Sequence, residues 1–180
     1  SASCRTQCRN KMPSGKVHDG FTVATALGAI PLCGWYLPPE TRPLAWLMIA
    51  SYTFSGIWLS SDLDVDSSAY RRWGPLRWLW WPYQKLVPHR SWISHGLGVG
   101  PLLRVAYLLG MLWLLFWGVQ LALRQIGIAL EVDSRSWLLR ASDWALTYHK
   151  EVMALTVGLV AGGAAHSLLD MLHTRFKRWF

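Results

Sequence analysis

Val105–Leu123, VAYLLGMLWLLFWGVQLAL, runs for 19 residues without a single charged side chain. As an α-helix it would cover about 28 Å, close to the ~30 Å hydrocarbon core of a bilayer. A second run, Val152–Leu169, has His166 as its only ionisable residue, and two shorter charge-free runs, Phe21–Leu37 and Leu44–Ser60, come before both. The pattern predicts an all-α polytopic membrane protein of about four transmembrane helices. Residues 1–11 read as a flexible N-terminal extension, and residues 12–180 as a single membrane-embedded domain.

Composition agrees with the lipid reading. Of 180 residues, 52% are hydrophobic and 13 are tryptophan. Many tryptophans stand at the ends of the apolar runs (Trp35, Trp46, Trp58, Trp78, Trp80, Trp81, Trp137, Trp144), where an interfacial aromatic belt requires them. The net charge of +8 is explained by basic loops beside anionic headgroups, and no groove-reading motif supports nucleic acid as a partner. Membrane lipids are the expected surroundings. The polar, basic residues 1–19 hold no apolar core for a cleavable signal peptide. Cys33 lies within an apolar run, and Cys4 and Cys8 lack the second pair that a zinc knuckle needs.

With four spans, the segments 1–19, 61–96 and 173–180 share one face and hold 12 Lys and Arg residues, against five in 38–43 and 124–150. Arg104, at the edge of the third span, belongs to neither tally. This bias places both termini in the cytoplasm. Within 61–96, the aromatic and basic block Trp73–Leu86 reads as a short helix lying in the interface, and residues 131–148 as a second amphipathic helix on the far side.

The polar residues that break the apolar runs gather at the same face. His18 and Asp19 precede the first span, Asp62, Asp64 and Asp66 follow the second, and His89, Arg90 and His95 precede the third. His166 comes 15 residues after Glu151, about 22 Å along a helix and so in the cytoplasmic half, with Asp170 on the same face one turn later. Ionisable groups at this depth are costly unless paired or bound to a cation. His18, Asp62, Asp64, His89, His95, His166 and Asp170 are therefore the expected metal ligands. The alternation of Asp62 and Asp64 suits an extended segment with both carboxylates on one side. An EF-hand is excluded, because Ser67 and Trp73 stand where its loop needs Gly and Glu. A mixed His/Asp set suits one or two Zn²⁺, Mn²⁺ or Fe²⁺ ions better than Ca²⁺.

MPSGKVHD, SDLDVDS, YRRWGPLRWLWWPYQKLVPHRSWISHG and AHSLLD together resemble a family of uncharacterised metal-binding membrane proteins best known from cyanobacteria. The order H…DxD…HR…SH…HxxxD is more distantly similar to the membrane-bound metal-dependent hydrolases of bacterial inner membranes. The resemblance implies the same seven metal residues and a bacterial inner or thylakoid membrane. The more distant likeness implies a hydrolase, and the depth of the site at the cytoplasmic interface points to an amphipathic, phospholipid-like substrate. In that reading Asp66 or Asp19 is the general base, and Arg90, Arg71 or Arg72 holds the substrate's head. The alternative is a non-catalytic metal protein, serving as a structural or assembly subunit of a larger membrane complex.

Overall fold

The computed structural model describes residues 15–87, 98–128 and 134–176. His89, Arg90 and His95 lie outside the described residues. Those described form helices and turns with no strand among them. In chain order the α-helices are α1 (Gly15–Tyr36), α2 (Arg42–Trp58), α3 (Ser68–Arg72), α4 (Trp81–Leu86), α5 (Val99–Gln125), α6 (Ser134–Thr147) and α7 (His149–Phe176), with 3₁₀ turns at Ser61–Asp64 and Gly74–Trp80.

Local chemistry sets the boundaries. Pro38 and Pro39 end α1, and Pro43 in the first turn of α2 restarts the chain in the opposite direction. The Thr41 hydroxyl donates to the Pro38 carbonyl at 2.9 Å and Arg42 Nε to the Leu37 carbonyl at 3.1 Å, which ties the turn down. At the far end of α5, Gly127 takes a φ of 84°. Its N–H reaches the Arg124 carbonyl at 3.1 Å and that of Ile128 reaches Leu123 at 3.0 Å, satisfying two carbonyls that the helix end leaves open.

Two helices, not the four expected, combine the length and the apolar composition needed to cross a bilayer among the described residues: α5, and His149–Leu172 of α7. The reason is reach. With 17 residues, α2 extends about 25 Å. In α1, Lys16, His18 and Asp19 occupy the first turns, so its charge-free part is equally short. Both helices nonetheless expose large apolar side chains, Leu27, Leu32, Trp46 and Phe54 among them.

The best-packed helix pair is α2 with α7, which run in the same direction through small residues four apart on each. A Cβ on Gly158 would strike Ser51 and the Met48 carbonyl, and one on Gly162 would strike the Tyr52 carbonyl and sit 2.9 Å from the Gly56 nitrogen. Ser55 Oγ donates to the Leu159 carbonyl at 2.6 Å across this seam. Such close backbone approach is how helices associate where lipid removes the hydrophobic drive. On the other side of α2, Gly56 admits Thr22 of α1, and Gly163 of α7 admits Pro101 at the start of α5.

The hydrophobic core lies at one end of the bundle rather than along its middle. Leu59, Leu63, Ala69, Leu79, Trp80 and Tyr83 are buried together, flanked by Tyr70, Trp73, Leu103 and Tyr107. The aromatic block 73–86 is therefore not one interfacial helix. It is a 3₁₀ turn followed by the short α4, and it splits its side chains: Leu79, Trp80 and Tyr83 face inward while Trp78 and Trp81 face outward. Trp80 is wholly buried, against the expectation that it joins the interfacial belt. It packs edge-on to Tyr83 and Trp73, and Tyr107 Oη donates to the Leu79 carbonyl at 2.6 Å. The helix expected in 131–148 is present as α6, with Trp137, Leu138, Leu139 and Trp144 exposed.

Candidate metal centre

Helix direction brings the ionisable residues together. α1 and α5 begin at the end of the bundle that holds the hydrophobic core, and α2 and α7 finish there. His18 is thus delivered by the first turn of α1, Asp62 by the turn after α2, and His166 and Asp170 by the last turns of α7.

His18 Nε2 lies 3.1 Å from Asp170 Oδ1, and His166 Nε2 lies 3.9 Å from Asp170 Oδ2 and 3.4 Å from Asp62 Oδ2. The two imidazoles stack, with centroids 4.0 Å apart and planes at 22°. Ligand atoms of His18, His166 and Asp170 all fall within 4.8 Å of one another. Both histidines are almost completely buried, whereas the side chains of Asp170 and Asp62 keep 24% and 34% exposure. The site therefore has a closed imidazole wall and an open carboxylate side.

The donor set fits a metal ion on a direct observation. Nδ1 of His18 and both ring nitrogens of His166 are buried with no hydrogen-bond partner. The Asp62 and Asp170 oxygens lie near His166 Nε2 without the alignment of a hydrogen bond. A buried polar atom left without a partner costs about 1–3 kcal/mol. Nitrogen donors converging on carboxylates are what a borderline divalent ion requires.

Asp64 does not share the face of Asp62. Ser61–Asp64 is a 3₁₀ turn and not the extended segment expected, so residues two apart point about 120° away from each other. Asp64 is buried, and its charge acts on Arg104 and Tyr83. Burial pushes the Tyr83 phenol above its ordinary value; Arg104 opposes that shift and Asp64 adds to it. Asp19, beside His18 in sequence, is held by both Nη atoms of Arg72, and Arg72 Nη1 also donates to the Ile57 carbonyl at 2.8 Å. Asp66 pairs with Arg71 at 3.0 Å on the solvent side, where both are largely exposed. Of the expected bases, then, both carboxylates are engaged by arginines.

Sequence reasoning passed over two residues that hold the site. Arg104 is fully buried in α5, with Nε donating to the Gly100 carbonyl at 3.0 Å and Nη1 to the Leu59 carbonyl at 2.6 Å. Gln84 Nε2 donates to the carbonyls of Leu63 and Val65 at 3.1 and 3.3 Å, pinning the turn that carries Asp62 and Asp64. The signal for Arg104 was its place directly against an uncharged 19-residue span, where an arginine needs a built partner. For Gln84 it was a lone amide within an aromatic block.

No curated protein and no solved structure matches the chain. Residues 13–180 match the family described as uncharacterized metal-binding protein (DUF2227), and the chain belongs to that family of metal-binding proteins.

Proposed function

We propose that this chain is a multi-pass membrane metalloprotein whose single embedded domain carries one catalytic centre at its cytoplasmic end. The centre acts as a metal-dependent hydrolase on an amphipathic, phosphate- or acyl-bearing lipid. The observation that supports this most is the asymmetry of the site: two buried imidazoles form its floor, and two partly exposed carboxylates form its rim. A closed shell would suit a structural ion, while an open side leaves room for water and substrate.

His18, His166 and Asp170 would hold the ion, with His89 and His95 as further expected donors. When bound, a divalent ion supplies Lewis acidity and lets water ionise near neutral pH. Asp62, at the rim, is placed to accept a proton. Arg71, exposed on the same end of the bundle, can meet an anionic head, and Arg90 has the same suitability by charge. The exposed apolar flanks of α1, α2, α5 and α7 suit acyl chains, since a water-facing surface rarely carries so much continuous apolar area.

The test is the full-length protein purified in detergent, stripped with chelator, reloaded with Zn²⁺, Mn²⁺ or Fe²⁺ and given a panel of phospholipids and isoprenoid phosphates. Metal-dependent release of phosphate or fatty acid is expected. A metal-loaded protein inert to the whole panel would replace the hydrolase with a structural role, in which the ion ties α1 to α7.

A further inference from the structure

α6 takes no part in the metal centre, and its apolar side chains pack on almost nothing in the chain. Of residues 137–148 only Ala145 is even partly buried. Trp137, Ala141, Trp144 and Tyr148 follow one another at steps of four, three and four and so share one face, with Leu138 beside them. The Trp144 and Tyr148 rings meet on that face at 5.5 Å. Arg140, Asp143 and Thr147 form a separate polar strip, also exposed. A helix of 14 residues is marginal in water unless its apolar face is covered. Attachment decides what covers it. α5 ends at Gln125 and α7 begins at His149, and both are long and apolar enough to cross a bilayer. Tyr148 alone separates α6 from α7, its N–H donating to the Trp144 carbonyl at 2.9 Å and its carbonyl accepting from the Val152 N–H at 3.0 Å. With so little slack, Trp144 and Tyr148 stand close to where α7 enters the hydrocarbon, the level at which tryptophan and tyrosine rings collect.

We propose that α6 is an anchor lying in the headgroup layer of the membrane face opposite the metal centre, with its Trp137–Ala141–Trp144–Tyr148 face toward the acyl chains and its Arg140–Asp143–Thr147 strip toward water. Ser134–Tyr148 holds two arginines and one aspartate. That is too few for an electrostatic clamp on anionic lipid, which takes about four to eight basic residues. The ligand is therefore the interfacial layer of the bilayer itself, and a zwitterionic lipid suffices. Indole and phenol rings suit it because each buries an apolar body and keeps a polar tip wet. The inference rests on α5 and α7 crossing the bilayer and is independent of the metal and of hydrolysis.

The test uses the full chain with its three cysteines replaced by serine, carrying a nitroxide on Ala141→Cys or on Asp143→Cys and reconstituted into phosphatidylcholine nanodiscs. At position 141, collisions with oxygen, which concentrates in lipid, should exceed those with a water-soluble nickel chelate. At position 143 the order should reverse. Both sites favouring nickel would put α6 in solution and overturn the proposal. A label at 141 shielded from both reagents would also overturn it, because a second copy or another protein would then cover that face. Hydrogen exchange in the same nanodiscs needs no label: Trp137→Ser combined with Trp144→Ser should speed amide exchange across 137–147 by about tenfold or more and leave α2 unchanged. Equal rates in that variant and the wild type would count against the anchor. An α5 open to impermeant reagents at both ends in intact cells would remove the spanning premise, and the anchor with it.

Discussion

His18 and His166, from opposite ends of the chain, stack ring on ring at 4.0 Å and present their Nε2 edges to the same carboxylate, that of Asp170. Stacking holds each ring against rotation. Two nitrogen donors on parallel planes beside one carboxylate are fixed in advance for a shared cation, and such preorganisation limits the ordering that binding must impose. Without a cation the same arrangement leaves buried ring nitrogens unpartnered.

His18→Ala and His166→Ala should each lower bound metal to about a tenth of wild type or less, since even outer partners of metal ligands are worth 10–100-fold in affinity. Circular dichroism should remain helical. Because binding to the folded state alone stabilises it, chelation should lower the wild-type melting temperature, with about 2.7 kcal/mol of stabilisation at a hundredfold excess over Kd. The shift should vanish in His166→Ala. Unchanged metal content in either variant would remove that residue from the ligand set.

Much of this centre was legible from spacing and topology alone. His166 and Asp170 share a helix face by their separation of four, and the alternating direction of the apolar runs places His18 and Asp62 at the same end. Asp64 was misplaced because period-two reasoning assumes extended backbone. The Ser60–Leu63 and Asp62–Val65 backbone bonds instead close a 3₁₀ turn. Arg104 escaped notice because, beyond the Gly100 carbonyl one turn back, the groups it meets are the Leu59 carbonyl at the end of α2 and the charges of Asp62 and Asp64, all about 40 residues away in sequence. The number of spanning helices was overcounted because absence of charge marks an apolar run without giving it sufficient length. The inward rings of the aromatic block were likewise hidden: a row of tryptophans reads the same whether it faces headgroups or a core.

The α2–α7 seam carries the second prediction. Gly162→Leu would drive a side chain into the Tyr52 carbonyl and Ser55, neither of which is a flexible tip. Overpacking of this kind costs about 1–3 kcal/mol. Because Asp62 hangs from the end of α2 and His166 from α7, metal retention should fall together with melting temperature. Ser55→Ala keeps the seam small and removes only the 2.6 Å bond to the Leu159 carbonyl, a loss of about 0.5–1.5 kcal/mol. Equal effects of the two substitutions, measured by thermal unfolding in detergent, would argue against close helix approach here.

Two neighbouring arginines should behave differently. Arg72 engages Asp19 through both Nη atoms and also holds the Ile57 carbonyl, with the pair about three-quarters buried. Arg72→Met should cost about 1–3 kcal/mol, because it strands a carboxylate and a helix-end carbonyl. Arg71 pairs with Asp66 in the open, and Arg71→Met should change stability by no more than about 0.5 kcal/mol. Denaturant unfolding of the two variants side by side decides this, and a large effect at Arg71 would contradict the exposed geometry.

Orientation can be read from accessibility at the two ends of the bundle. Leu86, at the end of α4, and Ile126, just beyond α5, are 75% and 70% exposed and lie at opposite ends of the long helix pair. In a chain whose three cysteines are replaced by serine, Leu86→Cys should react with a membrane-impermeant maleimide only after the cytoplasmic face is opened. Ile126→Cys should react in intact cells, as the excess of Lys and Arg at the Leu86 end requires. The opposite labelling pattern would invert the topology and move the His18–His166 centre outside. Labelling of both positions in intact cells would mean that α5 does not cross the bilayer, and that its uncharged run meets lipid or a partner without spanning.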